Sequence, residues 1–442
     1  MGNLKAGAAK ACITPPPETL PAQFFMPIEF EGVYRDLYVR VLILDNGEEK
    51  MAMLTYDAAD MSRTGDMNKA LTETYGFKPE NLCYAATHSH EAPSFDNTHE
   101  GIKNDPERLA WVIRYGDYII AQTVKAVGEA LDRMKPAKYC YRTGESYINV
   151  CRDELFEDGH WGQGMDFKGP SDKTLAIMQV QDLDGNVIAG LLNYSVHGTC
   201  CYLGRDEGDG KFLIAGDLPG MVSSYLEERF QDSGAVFLWT SGAAGNQNPI
   251  FFCQYIKYNH DKTHTSCPVG YRAWDICESL AQRHAVDAIR VMEGMTEFKE
   301  DITRICVREE AVILPGQRLA RADGTSGMII PGDVSIELSI EDGEPQELRL
   351  KLIVIDDIAF LTMNAELVTE IGIRLKAQVP YEKFVIVTHS GERIGYLPDK
   401  SGYDRRTFAF YASKVKGGVT EEMITPVILN MCKKAITQET EK

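Results

Sequence analysis

The sequence predicts an α/β fold, formed by a single large domain over residues 1–442 with mixed β-sheets and flanking helices. Three observations support this prediction. Strand-like apolar runs and helical patterns alternate along the whole chain, as in layered α/β structures. No internal repeat, low-complexity linker or clear boundary separates parts of the chain. With 44% hydrophobic residues, a chain of this length can also bury a sizeable core.

The strand predictions rest on short runs of apolar and β-branched residues bounded by turn residues. The clearest pair is 37–44 and 51–56, because Asp45-Asn46-Gly47 between them is a strong hairpin signal. The segment 301–356 is predicted to be rich in β-structure, with a glycine-containing loop inside it. In chain order, the other predicted strands cover residues 82–86, 175–180, 187–196, 235–240, 359–363 and 384–388.

The helix predictions rest on apolar periodicity and on residues that begin helices. The longest pattern starts at Pro106 and continues to Arg133, with Asp105 or Asn104 available as the N-cap. In chain order, the other predicted helices cover residues 219–230, 271–292, 366–378 and 421–434.

Composition and charge argue against several classes of protein. The chain carries 46 basic and 65 acidic residues, a net charge of −19, so we expect neither nucleic-acid binding nor docking on anionic lipid. No run approaches the roughly 18 apolar residues of a membrane span, and residues 1–10 have no apolar region typical of an export signal. The eleven cysteines contain no CxxC pair, which predicts free thiols and a cytoplasmic location. The oligomeric state is not determined by these patterns.

The segment 84–93 contains the first candidate site. His88 and His90 stand two residues apart, where the predicted strand 82–86 runs into a loop bounded by Pro93. In extended backbone such residues point to the same face, so both imidazoles can serve one site. Imidazole is the commonest metal ligand in proteins and a proton shuttle near neutral pH. An HxH pair alone is equally compatible with two loop histidines that make ordinary hydrogen bonds.

Further candidates also lie at or after the ends of predicted strands. His197 and Glu366 each follow an apolar run, and Tyr396 lies in a loop after another strand. Together with His88, the first two would match the His₂Glu ligand set of a catalytic zinc site if the fold brings them together. The alternatives are a hydrogen-bonded histidine, an acidic residue in a first helical turn and a tyrosine packed against a glycine turn.

A different metal site is conceivable at the adjacent pair Cys200-Cys201, close to His197. With Cys253 and Cys267 these thiols could hold a structural zinc ion. The CxxC pairs that such sites usually use are absent, so we regard this as the weaker interpretation.

Four segments share their order and character with one protein family. Residues 7–16 and 34–40 are similar to its opening strand and its next segment, and residues 193–197 resemble the strand that carries its second ligand. Thr87-His88-Ser89-His90, followed by Pro93, is similar to its Thr-His-Thr-His-Ser-Gly-Pro motif. This family is the neutral (non-lysosomal) ceramidases, zinc-dependent amidases that cleave N-acyl sphingosines. The resemblance runs from residue 7 to about residue 415.

The resemblance implies one zinc ion (Zn²⁺) per chain and a set of ligands. His88, His197, Glu366 and Tyr396 would be the zinc ligands. His90 would lie beside the metal-bound water and act as general base.

The resemblance also implies residues that hold the substrate. Arg152 would match an active-site arginine of the family. The family has a tyrosine that steadies the oxyanion, and position 408 is phenylalanine here. Tyr411 is therefore our candidate for that role, with Tyr403 as second choice.

Some family features are missing or altered in this chain. We expect a short member without an export signal or the C-terminal immunoglobulin-like domain, and Glu91-Ala92 replaces the usual Ser-Gly. The expected function is zinc-dependent hydrolysis of a linear amide (N-acyl) bond. A small soluble N-acyl compound is favoured as substrate over a lipid-like, ceramide-like one. The alternatives are a metal-dependent esterase or lactonase, or a non-catalytic homologue that binds a metal or ligand.

Overall fold

The computed structural model consists of two stacked β-sheets with helices on both outer faces. It describes residues 2–202, 204–206, 208–251, 254–258, 264–268, 272–324, 329 and 336–440, with the backbone alone for 254–258, 264–268 and 438–440. Cys253, and the side chain of Cys267, lie outside the described residues, so the zinc site that combined them with Cys200-Cys201 is not tested.

The strands have the following bounds. In chain order they are β1 (Lys5–Cys12), β2 (Ala22–Gln23), β3 (Glu29–Phe30), β4 (Gly32–Val33), β5 (Tyr38–Asp45), β6 (Lys50–Tyr56), β7 (Leu82–Ala86), β8 (Lys135–Glu145), β9 (Asn149–Leu155), β10 (Trp161–Asp166), β11 (Thr174–Asp182), β12 (Val187–Tyr194), β13 (Leu213–Ile214), β14 (Val236–Ser241), β15 (Gln247–Pro249), β16 (Gln254–Tyr258), β17 (His264–Pro268), β18 (Ile305–Arg321), β19 (Leu338–Ile355), β20 (Ile358–Met363), β21 (Glu366–Leu367), β22 (Lys383–Val387) and β23 (Tyr396–Leu397).

The α-helices have the following bounds. They are α1 (Thr64–Tyr75), α2 (Glu100–Lys103), α3 (Pro106–Asp132), α4 (Asp217–Arg229), α5 (Ala273–Glu293), α6 (Thr369–Gln378), α7 (Lys400–Asp404), α8 (Phe408–Tyr411) and α9 (Thr420–Thr440). None of the described helices is long and apolar enough to span a membrane.

The larger sheet has eight strands in the order β14-β12-β11-β8-β1-β5-β6-β7. Its central strand β1 is built largely from alanine and glycine, which lets α3 approach closely. A Cβ atom on Gly7 would lie 2.1 Å from the carbonyl oxygen of Ala130 in α3, so this position requires glycine. The pairs β6–β7 and β12–β14 are parallel, whereas the other neighbouring strands are antiparallel.

The smaller sheet has the order β18-β19-β20-β22, with the long antiparallel hairpin β18–β19 on one side and the parallel pair β20–β22 on the other. An apolar layer joins the two sheets, for example through Leu42 and Met53 of the larger one and Ile353, Phe360 and Val385 of the smaller one. Helices α1, α3, α4 and α5 cover the outer face of the larger sheet, and α6 and α9 cover that of the smaller one. The result is a four-layer α–β–β–α arrangement.

Most predicted elements agree with the structure to within about two residues at each end. The hairpin β5–β6 is confirmed: the side-chain oxygen of Asn46 accepts hydrogen bonds from the amides of Glu48 and Glu49. The N-cap of α3 is Asp105, whose carboxylate accepts from the amides of its first turn, so Asn104 is not the cap.

Two kinds of prediction differ from the structure. The predicted helix 366–378 begins too early, because Glu366 lies in β21 and α6 starts at Thr369. Parallel pairing of β21 with β23 decides this conformation. Strand β8 and helix α1 were not predicted. The sequence of β8, with Lys135, Pro136 and Gly144, has no continuous apolar run although the strand lies between β11 and β1.

A buried ion network connects the larger sheet to α4. The guanidinium of Arg40 contacts Asp57 and Glu227, each at 2.8 Å, and Lys10 contacts Glu227 at 2.6 Å. The Arg40 and Asp57 side chains are each only 1% exposed. Removing one partner from ion pairs this deeply buried leaves an uncompensated charge in the interior, which destabilises the fold.

Candidate metal centre

The candidate site lies where strands of both sheets end. The parallel pairs β6–β7, β12–β14 and β20–β22 finish at this edge, and the carboxyl ends of parallel strands meet there as they do in other α/β folds. The titratable side chains that follow these strands and contact one another are Asp60, His88, His197, Glu366 and His389.

Backbone carbonyls orient the two histidines expected to be ligands. Nδ1 of His88 lies 2.7 Å from the carbonyl oxygen of Ala59, and Nδ1 of His197 lies 3.1 Å from that of Gln247. A carbonyl oxygen can only accept a hydrogen bond, so we assign the proton to Nδ1 in each ring. This leaves a lone pair on each Nε2. Burial, and then the charge of Arg152, lowers the pKa of His197 to about 3, so this ring is neutral at pH 7.

The lone pairs of these histidines face a carboxylate oxygen. Oε2 of Glu366 lies 3.4 Å from Nε2 of His88 and 3.3 Å from Nε2 of His197. These distances exceed the roughly 2.7–2.9 Å of a charged hydrogen bond, and the buried Oε2 has no hydrogen-bond partner. Two ligand atoms about 2.1 Å from one tetrahedral metal ion lie about 3.4 Å apart. The three acceptors therefore fit a metal cation between them.

Tyr396 completes the ligand set expected from the sequence. The backbone of Tyr396 in β23 pairs with that of Glu366 in the parallel strand β21. The Tyr396 hydroxyl lies 3.1 Å from Nε2 of His197. Arg152 on β9 donates to the same hydroxyl at 3.1 Å and to the carbonyl of Gly245 at 2.6 Å. Burial, and then the charge of Glu366, raises the pKa of Tyr396, so the hydroxyl keeps its proton unless a cation displaces it.

His90 lies at the same centre. Its Nε2 is 3.3 Å from Nε2 of His88, and the imidazoles of His88, His90 and His197 form one group capable of holding a metal. Burial, and then the neighbouring His88, lowers the pKa of His90 well below its ordinary value. Near neutral pH this ring is therefore neutral and able to accept a proton.

The structure adds three residues that sequence analysis missed. The guanidinium of Arg393 donates to Oε1 of Glu366 at 2.7 Å and approaches Asp60 at 3.5 Å. The ring of His389 stacks on that of His88 at 3.7 Å between centroids, and its Nδ1 lies 3.3 Å from Asp60. His389 lies two residues after the end of β22 and Asp60 four residues after the end of β6, so the strand-end criterion applied to His88 could have found them. No local pattern distinguishes Arg393.

The tyrosine expected near the oxyanion is the least defined part of the site. Phe408 occupies a place against Arg152, whose guanidinium lies 4.4 Å from the ring centroid. The hydroxyl of Tyr403 donates to Gln317 at 2.6 Å, a contact directed at β18. Tyr411 ends α8 and packs edge-on against Phe410. The role of Tyr411 at the oxyanion stays a prediction.

Replacing Arg393 by leucine should weaken metal binding at this centre by about 10–100-fold, because Glu366 loses the partner that fixes its second oxygen. Metal affinity can be measured by competition with a chelator. Arg349→Leu is a matched control, since that arginine forms its ion pairs with Glu347 and Glu392 at the surface. Equal affinities in the two variants would contradict the role assigned to Arg393.

Comparison with known proteins identifies the fold. The chain is similar to the crystal structure of neutral ceramidase from Pseudomonas aeruginosa, with a TM-score of 0.75 and 16% identity over 98% of this chain and 74% of that one. It is also similar to a ceramidase complexed with C2, with a TM-score of 0.75 and 15% identity over 99% of this chain and 76% of that one. No family model matches the sequence. No curated protein sequence matches it either.

Proposed function

We propose that this chain, whose fold is that of the neutral ceramidases, is a zinc-dependent hydrolase that cleaves a linear amide (N-acyl) bond. The observation that carries the proposal is Oε2 of Glu366, which is buried without a hydrogen-bond partner and lies 3.4 Å from Nε2 of His88 and 3.3 Å from Nε2 of His197. This arrangement suits a cation and is costly without one.

The residues around the centre fit the requirements of metal-assisted hydrolysis. His88, His197, Glu366 and Tyr396 would hold the ion. Zinc bound there would supply a Lewis acid for the scissile carbonyl and lower the pKa of a water molecule to about 7. Arg393 and the carbonyls of Ala59 and Gln247 keep the ligand atoms aimed at the centre.

His90 would perform the proton transfers. Its neutral imidazole can take a proton from the attacking water and return it to the leaving nitrogen, which amide cleavage requires. Its ring is also packed against Phe25 and Tyr202, which restricts its orientation. The alternative role for His90 is that of a further ligand, because its Nε2 belongs to the same metal-binding group.

Arg152 would bind the substrate carbonyl and stabilise the charge that develops on it. Arg152→Met should lower kcat/KM by about 10²–10³-fold, because it removes a preorganised donor from a buried site. Tyr411→Phe should also lower kcat/KM if Tyr411 supplies a second hydrogen-bond donor. Steady-state kinetics on one N-acyl substrate measures both effects. Wild-type kinetics in Arg152→Met would exclude this role for the arginine.

The substrate that we favour is a small soluble N-acyl compound, with a ceramide-like lipid as second candidate. The net charge of −19 makes binding of the protein to anionic membranes unfavourable. We also propose a cytoplasmic location, which suits the free cysteines among the described residues.

Matched pairs of amide and ester substrates with the same acyl group test the reaction class. We expect zinc-dependent cleavage of the amides, abolished by chelation and restored by zinc. Faster cleavage of esters or lactones, with no amide turnover, would favour the esterase alternative. Stoichiometric zinc without turnover of any acyl compound would indicate a non-catalytic binding protein.

A further inference from the structure

A second group of potential metal ligands lies where the segment that follows His197 meets helices α4 and α5. It comprises the side chains of Cys201, Asp217 and Cys277, which are all completely buried, as is the neighbouring Cys200. Cys200 and Cys201 follow His197 by three and four residues, whereas Asp217 begins α4 and Cys277 lies in α5.

The carboxylate of Asp217 lacks a cationic partner. Its oxygens accept from the amides of Cys200 at 2.9 Å, Cys201 at 2.7 Å and Leu218, and no lysine, arginine or histidine in the described part of the chain pairs with it. A buried carboxylate without a counter-ion carries a desolvation penalty. Asp217 also has a φ of 47°, a left-handed conformation that costs energy in a non-glycine residue. The surrounding structure therefore holds an anionic oxygen beside the thiols at some cost.

The spacing of these atoms is that of a ligand set. The donor atoms of Cys201, Asp217 and Cys277 lie within 4.8 Å of one another, and Sγ of Cys277 is 3.9 Å from Oδ1 of Asp217. Ligands about 2.3 Å (sulfur) and 2.1 Å (oxygen) from one tetrahedral ion are about 3.6 Å apart. We propose that Cys201, Cys277 and Asp217 are three ligands of a buried structural zinc site separate from the candidate active site.

The donor chemistry selects the kind of metal. Two sulfur ligands favour zinc over the oxygen-seeking ions magnesium and calcium. Burial raises the pKa of the Cys201 and Cys277 thiols, so without a metal they retain their protons. Each thiol that becomes a ligand releases its proton to solvent. The negative charges of the two thiolates and the carboxylate then exceed the positive charge of the zinc ion by one unit. Complete burial indicates that the metal enters during folding.

The site would anchor a segment that contributes to the candidate active site. Residues 198–202 connect His197 to Tyr202, whose ring lies 5.6 Å from that of His90. Coordination of Cys201 by the same ion as Cys277 would tie this segment to α5, and Asp217 would tie it to α4. The expected role is to fix the position of the segment, without contact with substrate.

Cobalt substitution tests the proposal in the whole protein. Cobalt bound by thiolates gives a ligand-to-metal charge-transfer absorption, which the nitrogen and oxygen ligands of the candidate active site do not produce. We expect about two metal ions per chain and this absorption in wild-type protein produced with cobalt. His88→Ala should lose one ion and keep the absorption. Cys277→Ala should lose the other ion together with the absorption.

Matched controls make the outcome decisive. Cys83→Ala removes another buried thiol, one that packs between the two sheets, and should leave the absorption unchanged. Absence of the absorption in folded wild-type protein would overturn the proposal, and this result does not depend on any variant folding. Persistence of the absorption in Cys277→Ala would also overturn it. Loss of metal from His88→Ala alone bears on the proposed function instead, so the two proposals fail separately.

Discussion

Replacing His88 by alanine is expected to remove the active-site metal and reduce hydrolysis by on the order of a thousandfold or more. His88 provides one of the three acceptors around the centre and is held by the carbonyl of Ala59. Without its imidazole, Glu366 and His197 alone form an incomplete set. Because a bound zinc ion would supply both the polarising charge and the activated water, its loss should abolish turnover rather than weaken substrate binding. His197→Ala should have the same effect.

Elemental analysis of purified wild-type and variant proteins provides the measurement. We expect about one zinc ion per chain to be lost in His88→Ala, with the folded state retained. His160→Ala is a suitable control, since that imidazole pairs with Asp158 and stacks on Phe156 in the β9–β10 connection. Full activity in a His88→Ala protein that lacks this zinc would refute the proposed mechanism.

Replacing Arg40 by methionine is expected to lower the free energy of unfolding by about 3–5 kcal/mol. The change leaves the carboxylates of Asp57 and Glu227 buried without their shared guanidinium. Lys10 still contacts Glu227, but in the described residues no other basic side chain reaches Asp57. Burial already raises the pKa of Asp57 above its ordinary value, which shows how weakly this position supports a charge. Denaturant unfolding monitored by circular dichroism measures the effect.

A surface pair provides the comparison for Arg40. Arg318 and Glu341 form an ion pair whose side chains are 70% and 44% exposed, so Arg318→Met should change stability by less than about 1 kcal/mol. Adding Asp57→Asn to Arg40→Met should recover part of the loss, because one uncompensated charge disappears. If Arg40→Met were no more destabilising than Arg318→Met, the buried network would have no structural importance.

Local patterns in the sequence predicted most of the elements. The hairpin β5–β6, strand β7, and helix α3 with its Asp105 cap depend on interactions among neighbouring residues, so the sequence carries their signal directly. Strand β8 escaped prediction because its pairing with β11 and β1, rather than any apolar run, decides its conformation. The same is true of Glu366, placed in a strand by pairing with Tyr396.

The sequence by itself identified His88, His197, Glu366 and Tyr396 as candidate ligands, through strand-end positions and a family resemblance. Only the tertiary structure decided that their side chains meet. It also brought Arg393 to Glu366, and Cys277 to Cys201, across 27 and 76 residues of chain. The physical reason is that a ligand set depends on which strand ends share an edge and how two sheets stack. Those relations arise from long-range pairing and core packing, and no local pattern encodes them.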